Sequence, residues 1–171
     1  MARPYLLKKS DGTQQWFLNY NELHRLDGPA LIKPDGTQVW YKNGKCHRVD
    51  GPAVESPGGS LAWYYNGLNH REDGAALEHN CGSRVWFYHG ALHRVNGPAV
   101  HYRGGDDDDI IRWYLYGVEM TEEKYHKVMR TCRRVIEKFK NNYRNRLISV
   151  LRETEIFGEK YLCNDVAKYV I

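Results

Sequence analysis

One phrase returns four times along this chain at a fixed step of 23 residues. His24-Arg25 leads to Asp27-Gly28-Pro29-Ala30, and His47-Arg48 leads to Asp50-Gly51-Pro52-Ala53. His70-Arg71 then leads to Asp73-Gly74-Ala75-Ala76, and His93-Arg94 to Asn96-Gly97-Pro98-Ala99. A period of this length marks tandem units that each bury a face against the next, because one unit alone cannot close a core. The histidines therefore read first as a structural device used four times.

The rest of the unit keeps the same step. Trp16, Trp40, Trp63 and Trp86 are spaced 24, 23 and 23 residues apart, and Trp113 comes 27 residues after Trp86. The four extra residues of that last interval lie in the loop Gly104-Gly105-Asp106-Asp107-Asp108-Asp109. Four residues past the tryptophan stands Gly44, Gly67, Gly90 or Gly117, while the first unit has Tyr20 and is degenerate, as terminal units often are. Asn43-Gly44 and Asn66-Gly67 are two-residue hairpin turns, since Asn and Gly best tolerate the positive φ that a type I′ turn needs at both central positions. Short β-forming runs flank them, Val39-Trp40-Tyr41 and Ala62-Trp63-Tyr64-Tyr65, and each Asp-Gly-Pro corner stops the returning strand. No helix fits between these signals. The chain reads as mainly β with an α-helical C-terminal tail: an antiparallel β-hairpin meander, an open solenoid of about five 23-residue units over residues 1–118, then a basic amphipathic helical tail over 119–171.

The unit Trp-Tyr-x-Asn-Gly-x-x-His resembles a MORN repeat. The aromatic pair, the glycine four residues after Trp and the histidine three after that glycine carry the likeness, at His47, His70 and His93. After the histidine the usual Gly-x-Gly is replaced by Arg-x-Asp-Gly-Pro-Ala, a variant that resembles MORN-like repeat proteins of large DNA viruses and some phages. The resemblance implies a platform for protein contacts, with a virion, assembly or host-interaction role.

Charge divides the chain. Net charge is +4, yet residues 1–120 hold 13 Lys and Arg against 14 Asp and Glu, and residues 121–171 hold 12 against 7. Thr121 is set to cap the tail helix, with Glu122 and Glu123 in its first turn where the helix dipole favours acids. Tyr125, Met129, Cys132, Ile136, Phe139, Tyr143, Leu147 and Leu151 make one helical stripe. Gly158 ends that pattern, and a last short helix is expected from about Asn164 to Val170. The expected role of the stripe is to cover the open edge of the last unit, or to meet a partner. Lys127, Arg130, Arg133, Arg134, Lys138, Lys140, Arg144 and Arg146 are the candidate contacts for a partner or for phosphate.

Chemistry is weighed against scaffold in the same way. Trp40, Trp63, Trp86 and Trp113, with Gly44, Gly67 and Gly90 and with His47, His70 and His93, are read as repeat-structural residues, the tryptophans packing in the core or between units. Equivalent atoms of neighbouring two-stranded units stand about 10 Å apart, whereas metal ligands lie within about 2–2.6 Å of their ion. No metal site or cofactor is expected. The histidine or the arginine is expected to pair with the aspartate two or three residues on and so lock the corner. No nucleophile elbow, phosphate loop or His-Glu-x-x-His motif occurs, and neither catalysis nor a small-molecule substrate is expected. Cys46, Cys81, Cys132 and Cys163 follow no paired spacing, which argues for reduced thiols and an intracellular, cytoplasmic protein or one packaged in a virion. Neither a secretory h-region nor an apolar run of membrane-spanning length is found. Partners are expected to be proteins, including a second copy of the chain. Nucleic acid on the basic helix over 124–152 is the second expectation, and a membrane surface is not expected.

Overall fold

The computed structural model describes residues 4–104 and 108–139. Its strands are β1 (Tyr5–Lys8), β2 (Gln14–Phe17), β3 (Leu31–Ile32), β4 (Gln38–Val39), β5 (Tyr41–Lys42) and β6 (Lys45–Cys46). There follow β7 (Val54–Glu55), β8 (Leu61–Ala62), β9 (Tyr64–Tyr65), β10 (Leu68–Asn69), β11 (Leu77–Glu78) and β12 (Arg84–Val85). The last are β13 (Phe87–Tyr88), β14 (Ala91–Leu92), β15 (Val100–Tyr102), β16 (Ile110–Leu115) and β17 (Val118–Met120), before α1 (Glu122–Phe139). The β part thus runs to Met120, two residues beyond the expected boundary.

The strands form one long antiparallel sheet and a row of small hairpins. The sheet has 11 strands, ordered β1-β2-β3-β4-β7-β8-β11-β12-β15-β16-β17, and does not close on itself. The pairs β5–β6, β9–β10 and β13–β14 stand apart from it as two-stranded hairpins. Here the structure corrects the simple meander, in which Val39-Trp40-Tyr41 was one strand. At Trp40 the chain leaves the sheet: Trp40 N donates to Ala53 O in the sheet, and Trp40 O accepts from His47 N in the small hairpin. Trp16, Trp63 and Trp86 make the same two bonds, to Ala30 and His24, Ala76 and His70, Ala99 and His93. In the last unit the two tiers merge, since β16 pairs with β15 through Ile110–Arg112 and with β17 through Trp113–Leu115.

One turn type recurs through the hairpin tier. In the small hairpins Asn43-Gly44, Asn66-Gly67, His89-Gly90 and Tyr116-Gly117 all take positive φ at both central positions, as a type I′ turn requires. The first unit lacks the glycine. Its turn is held by the Asn19 side chain, whose Oδ1 accepts from Asn21 N and Glu22 N.

The tightest packing is not at the tryptophans, which are only half-buried. It is at Ala30, Ala53, Ala76 and Ala99, each fully buried just after its corner. A row of apolar cross-strand partners runs alongside, Leu31, Val39, Val54, Ala62, Leu77, Val85 and Val100. A second core closes the end of the sheet, where Leu115 and Met120 meet Tyr125, Val128, Cys132 and Ile136 of α1. Lys124 N donates to Thr121 Oγ1, the expected cap. The buried stripe includes Val128, which the spacing overlooked, and Met129 is only partly buried against it. Phe139 ends α1; the expected continuation of the stripe, the stop at Gly158 and the last short helix lie outside the described residues.

Candidate interaction surface

Each arginine of the recurring phrase lies over the tryptophan ring of its own unit. The guanidinium carbon stands 4.2 Å from the ring centre for Arg25 on Trp16, 4.0 Å for Arg48 on Trp40, 3.9 Å for Arg71 on Trp63 and 3.7 Å for Arg94 on Trp86. The arginine then closes the corner. Arg25, Arg48 and Arg71 pair with Asp27, Asp50 and Asp73 through Nε, and Nη1 donates to the carbonyl of Pro29, Pro52 or Ala75. Arg48 and Arg71 also reach Glu55 and Glu78, at 2.6 and 2.8 Å. The hydrogen bond from Arg71 holds the Asp73 carboxyl below the ordinary value, and that from Arg25 does the same for Asp27. The corner glycine leaves room for the guanidinium: a Cβ on Gly74 would sit 2.8 Å from Arg71 Cζ and would make the arginine shift. In the fourth unit Arg94 Nη1 bonds Pro98 O, and no Arg94–Asn96 bond is present among the described residues.

The aspartate therefore belongs to the arginine, and the histidine does something else. It ties one small hairpin to the next. Nδ1 of His24, His47, His70 and His93 accepts the main-chain N–H of Asn43, Asn66, His89 and Tyr116, at 3.1 to 3.2 Å. Beside it Gly44, Gly67, Gly90 and Gly117 donate N–H to Leu23, Cys46, Asn69 and Leu92. At His24, Nδ1 also lies 2.8 Å from Asn43 Oδ1. The rings form a ladder along this tier: His47 lies 4.9 Å from Tyr65, His70 stacks on His89 at 4.0 Å, and His93 lies 4.1 Å from Tyr116. Tyr88 bridges His70, His93 and Tyr116.

Protonating such an acceptor sets two donors face to face. Burial, and then the Lys42 ammonium, hold the His47 imidazole below its ordinary pKa. The folded value lies under the unfolded one, so the contribution is complete above about pH 6.5 and disappears as pH falls through the lower folded value. The shifted aspartates Asp11, Asp27, Asp35 and Asp73 weaken only at still lower pH, because their folded pKa values lie below the ordinary carboxylate value. The melting temperature is expected to fall as pH is lowered below about 6.5, with a shallower slope in His47→Asn, whose amide oxygen replaces Nδ1 without titrating. Equal slopes in the two proteins would dismiss the acceptor role.

Inside the hairpin tier, Leu23, Cys46, Asn69 and Leu92 occupy equivalent places. Burial pushes the Cys46 thiol up to about 12, which keeps it protonated at neutral pH. Cys81 is exposed and held below its ordinary value by the Ser83 hydroxyl. Asn69 Nδ2 is buried without a hydrogen-bond partner. Leaving a buried donor unmet costs about 1–3 kcal/mol, so Asn69→Leu is expected to stabilise the protein by about 1 kcal/mol in urea denaturation. An unchanged or lower midpoint would show that the amide is satisfied.

Trp113 departs from the other four. Its ring is covered by Tyr125 at 4.6 Å and His126 at 5.1 Å of α1 in place of an arginine. The Tyr125 hydroxyl is shared between the carbonyls of Val95 and Arg94 and accepts from Gly97 N at 3.2 Å. On the outer side of α1, Lys127, Arg130, Arg133 and Arg134 are exposed. Lys138 lies in the helix, and Lys140, Arg144 and Arg146 lie outside the described residues. The structure thus gathers Trp40, Trp63 and Trp86 under arginines and His47, His70 and His93 into the ladder, with the four basic residues on a separate face.

Sequence reasoning missed Tyr65, Tyr88, His89 and Tyr116 in the ladder and the Tyr125 hydroxyl. Tyr65 and Tyr88 share the 23-residue step, the one signal that pointed to them. Among the described residues no group of three or more His, Cys, Asp or Glu is arranged to hold a metal ion, and no helix is long and apolar enough to cross a membrane. No protein-family model, curated protein or solved structure matches this chain.

Proposed function

We propose that the protein is a non-catalytic structural or protein-interaction module, an open solenoid of MORN-like units that serves as a virion, assembly or host-interaction scaffold. The observation that carries this reading is the use of the four recurring imidazoles. Each accepts a main-chain N–H of the next turn, so the residues that most resemble a reactive set are engaged in holding units together. The likeness of the unit to a MORN repeat supports the same reading. Self-association is favoured by β1, the end strand of the sheet, where Tyr5, Leu6 and Leu7 are all exposed; an open apolar edge invites pairing with another chain. The protein acts inside the cell or packaged in a virion and takes no small-molecule substrate.

Nucleic acid is the second reading, favoured by the exposed row Lys127, Arg130, Arg133 and Arg134. Affinity capture from the native source with the tagged full chain separates the two. A protein partner or a second copy that survives nuclease and high salt supports the module. Recovery of nucleic acid alone, with log affinity falling steeply against log salt, replaces it with phosphate-backbone binding.

A further inference from the structure

The four corner arginines differ in the number of carboxylates they hold. Arg25 holds one, Asp27, with Ile32 seven residues on. Arg48 and Arg71 hold two each, the aspartate two residues on and the glutamate seven residues on. Arg94 holds none among the described residues, because Asn96 stands at the aspartate position and His101 at the glutamate position. Its guanidinium keeps the Trp86 ring at 3.7 Å and one hydrogen bond, from Nη1 to Pro98 O. Nε and Nη2, which share one edge of the planar group, meet no acceptor among the described residues.

The surrounding charges do not make up the loss. Arg94 is half-buried, and burial lowers its pKa; Tyr125 opposes that shift and the neighbouring Arg84 guanidinium adds to it. Arg84 is exposed, pairs across the sheet with His101, and has no ion-pair partner among the described residues. Asp109, the acid beside His101, is taken up by His101 Nε2 at 2.6 Å and by Gly104 N. A half-buried charge without its counter-charge is costly, and an ionised acceptor removes that cost. The position beside Nε is open to a partner. Asp27, Asp50 and Asp73, which fill it in the other units, have side chains 84, 86 and 83% exposed, and Asn96 is exposed too.

We propose that the Nε–Nη2 edge of Arg94 is a binding site for a carboxylate side chain, aspartate or glutamate, of a protein partner. Nε–H and Nη2–H donate side by side to its two oxygens, the geometry that the planar guanidinium favours. The partner thereby completes at the fourth corner the ion pair that Arg25, Arg48 and Arg71 make within the chain. Arg84 adds attraction for the same negative charge. A carboxylate is favoured over a phosphate because an aspartate fills this position in the other three units.

The proposal rests on the interaction-module reading and deepens it by naming the chemistry of the partner. Its test is a titration of isotope-labelled full-length protein with sodium acetate at constant ionic strength, read at the arginine Nε–H resonances. A saturable shift is expected at Arg94 and not at Arg25, Arg48 or Arg71. Asn96→Asp, at an exposed position where the other units carry aspartate, keeps the fold and supplies the carboxylate from within. It is expected to weaken acetate binding at least about tenfold, the effect of one charge-assisted hydrogen bond. No saturable shift at Arg94, equal shifts at all four arginines, or a response that survives Asn96→Asp would overturn the proposal. Inorganic phosphate binding more than about tenfold tighter than acetate would reassign the site to phosphate groups and overturn it as well. In affinity capture from the native source, Asn96→Asp is expected to lower partner recovery about tenfold. Recovery unchanged by Asn96→Asp removes the carboxylate site and leaves the module reading standing.

Discussion

Replacing Tyr125 with alanine is expected to lower stability by about 3–5 kcal/mol, the usual loss for truncating a buried aromatic. The side chain is 2% exposed and links α1 to the end of the sheet both by ring contact with Trp113 and by hydrogen bonds. Its removal uncovers Trp113, Leu115 and Met120 and leaves Gly97 N and two carbonyls unmet. Tyr125→Phe keeps the ring and loses the hydroxyl, so it should cost about 1–3 kcal/mol. Chemical denaturation of both variants separates the two contributions. The alanine variant should also associate more readily, because the uncovered strands present an open edge, and light scattering would register that. Equal stability of the alanine variant and the parent would mean that α1 does not cap the sheet in solution.

Ala53→Leu is the second large change. Ala53 is fully buried, its N–H donates to Ala62 O, and its carbonyl accepts from Trp40 N, each at 2.8 Å. A longer side chain has no space there. Overpacking a filled core costs about 1–3 kcal/mol, and here it also pushes apart the residues that join the two tiers. The control is Val49→Leu, four residues away but exposed, expected to stay within about 0.5 kcal/mol of the parent. A tolerated leucine at 53 would show that the alanine row is loose and that the tryptophans hold the units after all.

Those two sites differ in how far they could be read ahead of the structure. The hairpin turns were legible, because Asn-Gly pairs answer a local steric demand and take the expected positive φ. The Thr121 cap was legible for the same reason, being settled within three residues. The pairing of Arg with Asp two residues on was one of two options left open, and the arginine made it. The role of the histidines was not legible. Their partners lie 19 or 23 residues away, in the turn of the next unit, and no local preference encodes that approach. The burial of the tryptophans was over-read for a related cause. Period alone says that a residue recurs, and it does not say whether a chain neighbour such as Arg71 will lie across its outer face.

By itself the sequence determined the beat of this protein: where the chain turns, which residues stop each strand, where β gives way to helix, and that equivalent positions recur. These are matters of backbone sterics and near-neighbour bonds, and they act over a few residues. Only the tertiary structure decided that the strand bends at each tryptophan into a second tier, that arginine covers indole, that imidazole nitrogen binds the next turn, and that a helix tyrosine replaces the missing arginine on Trp113. Those contacts form when separate units come within a few ångströms of each other, and that proximity is a property of packing in three dimensions.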